Sequence, residues 1–259
     1  MKIYAITNQK GGVGKTTTTV NLASSLAARG KRVLLVDLDP QGNATTGSGV
    51  DKRAVTSTLY QLLLGSASFE SVCKTTEFQF DILPSNHALA GAEVELIEVE
   101  QREFRLRNAL QGRNYDYVLI DCPPALNLLT VNGLVAADAV IIPMQCEYYA
   151  MEGLADLVAT LRKIRANLNS RLEIEGLLRT MFNPQSGLTQ QVSAELEQHF
   201  GNKVYKTLIP RNVRLAEAPS FGRPALNFDR ASRGAVAYLA LADEILARAG
   251  EIVGEKHEA

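Results

Sequence analysis

The stretch NQKGGVGKTTTT, residues 8–19, places two lysines, Lys10 and Lys15, around three glycines. Gly11, Gly12 and Gly14 can bare their backbone amides and turn them inward as a phosphate nest. Gly14, Lys15 and Thr16 close the pattern G-x-x-x-x-G-K-[ST], with Gln9 standing where its first glycine is usual. Val13 and Thr17 complete the nucleotide-contacting run. Lys15 would reach the β- and γ-phosphates of a nucleotide, and the Thr16 hydroxyl would hold Mg²⁺. The spacing G-G-x-G-K suits a terminal phosphate better than the dinucleotide fingerprint G-x-G-x-x-G. Lys10 is surplus to that chemistry. It is either a solvent-facing side chain or a cation that reaches the nucleotide of a second copy, as an arginine finger does in trans.

Carboxylates supply the other half of phosphoryl chemistry. Asp37 and Asp39 sit at the end of the apolar run RVLLVDL in VDLDPQ, and with Leu38 in the packing they share one side of the strand tip. One can order the metal and its waters, and the other can orient the attacking water. The alternative is a pair of turn caps before Pro40. Asp121 follows VLI and precedes Cys122, Pro123 and Pro124, an apolar strand ending in a metal-holding aspartate. A base pocket needs polar groups at later strand ends. Asn183 and Asn212 are candidates there, with an ordinary turn role as the alternative.

Positive charge gathers at residues 203–233 in Lys203, Lys206, Arg211, Arg214, Arg223, Arg230 and Arg233, against Glu217 and Asp229. Such a stretch either contacts DNA phosphates without reading sequence or is an ordinary solvated surface.

These residues need a scaffold that brings strand ends together. KIYAIT (2–7), the glycine loop, a helix over Thr17–Arg29 and a strand over Arg32–Leu38 make a βαβ unit. Further strands are expected at Phe80–Leu83, Tyr117–Ile120, Ala139–Ile142, Ile174–Thr180 and Val204–Ile209. Helices are expected at Ser57–Leu64, Ala88–Leu110, Leu126–Ala136, Met151–Asn167, Leu188–His199 and Arg233–Ala249. The alternation predicts an α/β fold, a mostly parallel twisted sheet flanked by helices on both faces, as in P-loop NTPases. With no long linker or repeat, residues 1–250 read as a single domain and 251–259 as a polar tail that frays.

The chain resembles the ParA/MinD group of ATPases with the deviant Walker A motif, and within it the short ParA/Soj type. KGGVGKT (10–16), VDLDPQGNAT (36–45), DCPP (121–124), QCEYYAMEGL (145–154) and IPRNVRLAEAPSFG (209–222) carry the resemblance over nearly the whole chain. It implies an ATPase using ATP and Mg²⁺, with Lys10 crossing between the subunits of an ATP-dependent homodimer. Asp39 would position water and Asp37 would lie in the outer shell of the metal. Adenine would be held by segments matching Thr180–Asn183 and Pro210–Asn212, including Arg211. Arg214 would bind double-stranded DNA nonspecifically, with Arg211, Arg223, Arg230 and Arg233 around it. A ParB-like centromere-binding protein would stimulate hydrolysis. One departure is Gln185, which stands where relatives carry a second DNA-contacting arginine.

The 259 residues have a formal net charge of -1, so no global field draws the chain to nucleic acid. Cys73, Cys122 and Cys146 are widely spaced, without C-x-x-C, which fits a reducing cytoplasm, and Cys122 and Cys146 read as small buried side chains rather than cluster ligands. The loop starts by residue 9, so no helix-turn-helix is expected before it. GEIVGEKHEA is not a basic amphipathic helix, so no stable membrane anchor is expected. A cytoplasmic, nucleoid-associated partitioning ATPase is the expectation. The alternative is a MinD-like ATPase positioned on a membrane or protein scaffold.

Overall fold

The computed structural model describes residues 1–251. Six parallel strands, β1 (Lys2–Ile6), β2 (Val33–Asp37), β4 (Asp81–Leu83), β5 (Tyr117–Asp121), β6 (Ala139–Gln145) and β7 (Glu173–Thr180), form one sheet with a short antiparallel edge strand, β3 (Lys74–Thr75). The order is β3-β4-β2-β5-β1-β6-β7. Successive side chains on a strand point to opposite faces, and the central strands are apolar on both. Tyr4 and Ile6, Val33 and Leu35, and Tyr117 and Leu119 pack on one face. Ile3 and Ala5, Leu34 and Val36, and Val118 and Ile120 pack on the other.

Helices α1 (Lys15–Ala28) and Arg233–Arg248 cover the first face, with Tyr238, Leu241 and Ile245 of the latter fully buried or nearly so. Helices Leu128–Ala136, Ala150–Asn167 and Gly187–Phe200 help cover the second. All six parallel strands point the same way, so the ends of β1, β2 and β5 meet where the connections diverge to the two sides. Ligands of open α/β sheets collect there.

Two expected elements differ. The helix expected over Ala88–Leu110 breaks into Leu89–Glu95, two single 3₁₀ turns and Arg105–Leu110, with Gln101 at φ 53°. Leu96 and Leu106 are both fully buried, and the chain turns between them. Asn132 pays for the break by accepting from the Leu106 amide at 3.2 Å and donating to the Arg102 carbonyl at 2.8 Å. The strand expected at Val204–Ile209 makes only isolated bridges, Leu177 with Val204 and Phe182 with Pro210. Its Lys206 and Thr207 amides both donate to the Glu244 carboxylate at 2.9 Å, so no ladder forms there. Glu251, the first residue of the expected tail, accepts from Lys31 and from the Tyr117 hydroxyl. Residues 252–259 lie outside the described range.

Gly176 explains how this edge packs. A Cβ there would stand 2.4 Å from the buried Tyr205 ring. Gly176→Ala is expected to destabilise the fold by about 1–3 kcal/mol through overpacking, read as a lower midpoint in urea melts.

Candidate functional site

The loop after β1 is shaped by Gly12 at φ 74° and Gly14 at φ 89°, conformations that L side chains rarely adopt. A Cβ at Gly11 or Gly12 would meet no atom within 4 Å, so open space lies beside both glycines. The loop is clamped to the neighbouring strand ends. The Asn8 amide donates to the Pro143 carbonyl at 2.8 Å, Gln145 Nε2 to the Gly12 carbonyl at 3.0 Å, and Thr180 Oγ1 to the Val13 carbonyl at 2.8 Å. Val13 is buried and anchors the loop's base. Helix α1 begins immediately after Gly14 and aims its positive end at the same space.

The two lysines take opposite environments. Lys15 is buried, and its Nζ donates to the Lys10 carbonyl at 3.0 Å across the loop. Burial lowers its pKa, and Asp121 opposes that shift. The Lys10 side chain instead leaves the loop and pairs with Glu147 Oε2 at 2.5 Å, with about half of each side chain exposed. Glu147 belongs to the segment after β6, which also carries the exposed Tyr148 and Tyr149 packed edge to face at 5.0 Å.

Asp37 and Asp121 end β2 and β5 in direct register and are both fully buried. Burial pushes both carboxyls well above the usual carboxylate range; the charge of Asp39 adds to the rise at Asp37, and the charges of Asp37 and Asp39 add to it at Asp121. Asp37 is saturated: its Oδ2 accepts from Thr45 N and Thr45 Oγ1 at 2.7 Å each, and its Oδ1 from the Asp39 amide at 3.3 Å. Asp121 Oδ1 accepts from Thr19 Oγ1 at 3.0 Å, whereas Oδ2 is buried without a hydrogen-bond partner. Burial raises the Asp121 pKa, and the Thr16 and Thr19 hydroxyls act against that rise. Leu38 is buried between the aspartates' positions. Asp39 is half-buried, and its Oδ1 accepts from the Gln41 amide at 2.9 Å as a turn cap. No cluster of three or more His, Cys, Asp or Glu side chains that could cage a metal occurs among the described residues. Cys122 and Cys146 are buried and burial raises both thiols, Cys146 to about 11, so neither presents a ready thiolate.

The expected base segments are neighbours: the Phe182 amide donates to the Ile209 carbonyl at 3.0 Å, and Met181 turns the chain at φ 49°. Asn183 Oδ1 accepts from the Gln185 amide at 3.1 Å, and Asn212 Oδ1 caps helix Val213–Glu217 by accepting from the Leu215 amide at 3.3 Å. Each asparagine oxygen therefore serves a turn, which leaves the Nδ2 donors for a base. Pro210 is half-buried and Arg211 exposed.

The basic stretch divides. Lys203 and Lys206 line a cleft beside β7 with Glu175, Glu197 and Glu244. Arg211, Arg214, Arg223, Arg230 and Arg233 are exposed on the segments around the strand ends. Both acids of the stretch face Arg214, Glu217 at 2.9 Å and Asp229 at 3.2 Å, so the leading DNA candidate is the one held by carboxylates.

An AAA domain family profile matches residues 1–174. The chain is 54% identical to the sporulation initiation inhibitor protein Soj of Bacillus subtilis, over 95% of this chain and 98% of that protein. It is 49% identical to the chromosome partitioning protein ParA of Caulobacter vibrioides, over 96% and 95% respectively. The chain belongs to the ParA/Soj family. A solved structure described as cobyrinic acid a,c-diamide synthase from Mycobacterium smegmatis, with bound ATP analogue and magnesium, superposes with a TM-score of 0.84 at 35% identity, covering 96% of both chains. The fold is thus that of the P-loop NTPases. No helix among the described residues is long and apolar enough to cross a membrane.

Within this ParA/Soj chain, sequence reasoning missed Thr45, Thr19, Gln145, Thr180 and Glu147, which hold the aspartates, the loop and Lys10. Thr45 and Glu147 lie in the segments that carry the resemblance, but no local period marks their partners. Thr45 also accepts from the Ser85 amide at 2.8 Å. Thr45→Val should therefore strip one donor from Asp37 and orphan a buried amide. The expected loss is roughly 1–3 kcal/mol, measured by denaturant unfolding without nucleotide.

Proposed function

We propose that the protein is an Mg²⁺-dependent ATPase that works as a partitioning switch: ATP closes a homodimer, the dimer binds double-stranded DNA nonspecifically, and a ParB-like centromere-binding partner stimulates hydrolysis and release. The carrying observation is the split between the lysines. Lys15 is folded into its own loop, while Lys10 is extended outward to an exposed carboxylate, so its ammonium is free to exchange that partner for a phosphate of a facing subunit. This supports Lys10 as the cation supplied in trans.

Gly11, Gly12, Val13 and Gly14 would cradle the phosphates with their amides, with Thr17 at the helix start. The orphaned Asp121 Oδ2 beside Thr16 fits a magnesium site of one carboxylate, one hydroxyl and phosphate oxygens. Thr16 and Asp121 would hold the ion, Asp37 would stand behind, and the ion would neutralise charge on the β- and γ-phosphates. The Asp39 side chain, tied by a turn bond at Oδ1, would orient the attacking water. Asn183, Pro210, Arg211 and Asn212 would close over adenine. Arg214, Arg211, Arg223, Arg230 and Arg233 would meet DNA phosphates, which would hold the protein on the nucleoid.

Binding to a random duplex should be measured with ATP–Mg²⁺, ADP–Mg²⁺ or no nucleotide, at low and high salt. ATP-dependent binding that falls steeply with salt is expected. Equal binding in all three states would overturn the switch. Arg214→Glu should lower DNA affinity by about tenfold or more while leaving ATP binding unchanged. Lys10→Ala should lower turnover by roughly 10²-fold. In mixed dimers only the site facing a wild-type Lys10 should recover, and equal loss at both sites would rule out action in trans.

A further inference from the structure

Helix Leu89–Glu95 and the turn Leu96–Glu98 bury Leu89, Ala92 and Leu96 against the sheet. Val94 and Ile97 are left outside, 69% and 53% exposed, and their three-residue separation puts them on one side. Leu126, 48% exposed, comes from the loop that follows Asp121. That loop is tied to the strip by the Asn127 amide, which donates to the Glu93 carboxylate. That hydrogen bond brings the residue after Leu126 to the residue before Val94, and exposed apolar side chains carried on adjoining segments mark interaction sites.

The surroundings select the occupant. Residues 93–103 carry Glu93, Glu95, Glu98, Glu100 and Glu103 against one basic residue, Arg102. Its guanidinium is already engaged by Glu103 at 3.1 Å and the Ile97 carbonyl at 2.6 Å. A nucleic acid or an anionic membrane would be repelled here, whereas a segment bearing Lys or Arg beside apolar side chains complements both features.

We propose that Val94, Ile97 and Leu126, flanked by Glu95, Glu98 and Glu100, form the docking surface for a basic amphipathic segment of a partner protein. The position gives docking a consequence. Asn127 Oδ1 caps helix Leu128–Ala136 by accepting from the Thr130 amide at 3.0 Å, while its Nδ2 holds Glu93. A segment pressing on the strip therefore acts on the short run Cys122–Asn127 that follows Asp121. The link from docking to hydrolysis rests on the proposed ATPase function; the docking itself does not.

The probe is a fluorescent amphipathic peptide of about 20 residues built from Leu, Ala and Lys, long enough to form a helix on binding. Its anisotropy is titrated with the full chain, with and without ATP–Mg²⁺. Glu98→Lys/Glu100→Lys and, separately, Val94→Ser/Ile97→Ser should each weaken binding about tenfold or more. Asp156→Lys/Glu173→Lys makes the same charge change at exposed positions elsewhere and should leave binding within about twofold. All three variants should keep wild-type melting and basal ATP turnover, and the peptide should raise turnover in the wild type but not in the strip variants. Binding unchanged by the strip variants, or lost equally in the control, would overturn the proposal. Strip-dependent binding without ATP turnover or DNA binding would instead count against the switch and leave the docking surface standing.

Discussion

Two aspartates buried side by side are the constraint around which this end of the molecule is built. The parallel register of β2 and β5 sets Asp37 beside Asp121 with no access to water. Burying like charges together is unfavourable unless hydrogen bonds and a cation offset it. Thr45 donates twice to one carboxylate, Thr19 donates to the other, and Lys15 supplies the nearby positive charge at the head of α1. The oxygen that remains unpartnered, Asp121 Oδ2, is buried at the end of β5. The protein's own groups thus leave one carboxylate oxygen of the pair without a hydrogen bond, the feature on which the proposed magnesium site rests.

From Asp37 the packing continues outward. Thr45 sits in the short helix Asn43–Gly47, and that helix runs into Gly49, whose backbone meets Gly222 closely enough that a Cβ at Gly49 would stand 3.2 Å from the Gly222 carbonyl. Both glycines have positive φ. Gly222 follows the helix that bears Arg214 and precedes Arg223. The buried carboxylate of Asp37 and the basic segment are thus joined by a chain of packed contacts through Thr45, Gly49 and Gly222. The same segments line a cavity of about 740 Å³ with Thr16 and Thr17, so these contacts border the phosphate loop directly.

The two lysines illustrate how a few residues of spacing separate roles. Lys15 begins α1 and is drawn under the loop, where desolvation and the Lys10 carbonyl position it. Lys10 sits on the loop's outer turn, held by Asn8 through its amide at 3.0 Å and by Glu147 through its side chain. An exposed pair of this kind contributes about 0–1 kcal/mol, so it orients Lys10 without trapping it.

What could be read along the chain was whatever depends on local order. The glycine loop between an apolar run and a helix, the aspartates ending two such runs and the strand–helix alternation were legible, because phosphate nests and parallel strands impose fixed spacing on neighbouring residues. The helix Ala88–Leu110 and the strand Val204–Ile209 were misread because their backbone groups are satisfied from elsewhere, by Asn132 and Glu244. The division of the basic stretch between the β7 cleft and the strand ends was likewise invisible, since a charge run has no direction until it is folded. Which aspartate is saturated and which keeps a bare oxygen was decided only by tertiary structure. Thr45 is eight residues from Asp37, and Thr19 is 102 residues from Asp121. Residue types along one chain name the groups that can pair, but burial and register across the sheet determine which pairs form.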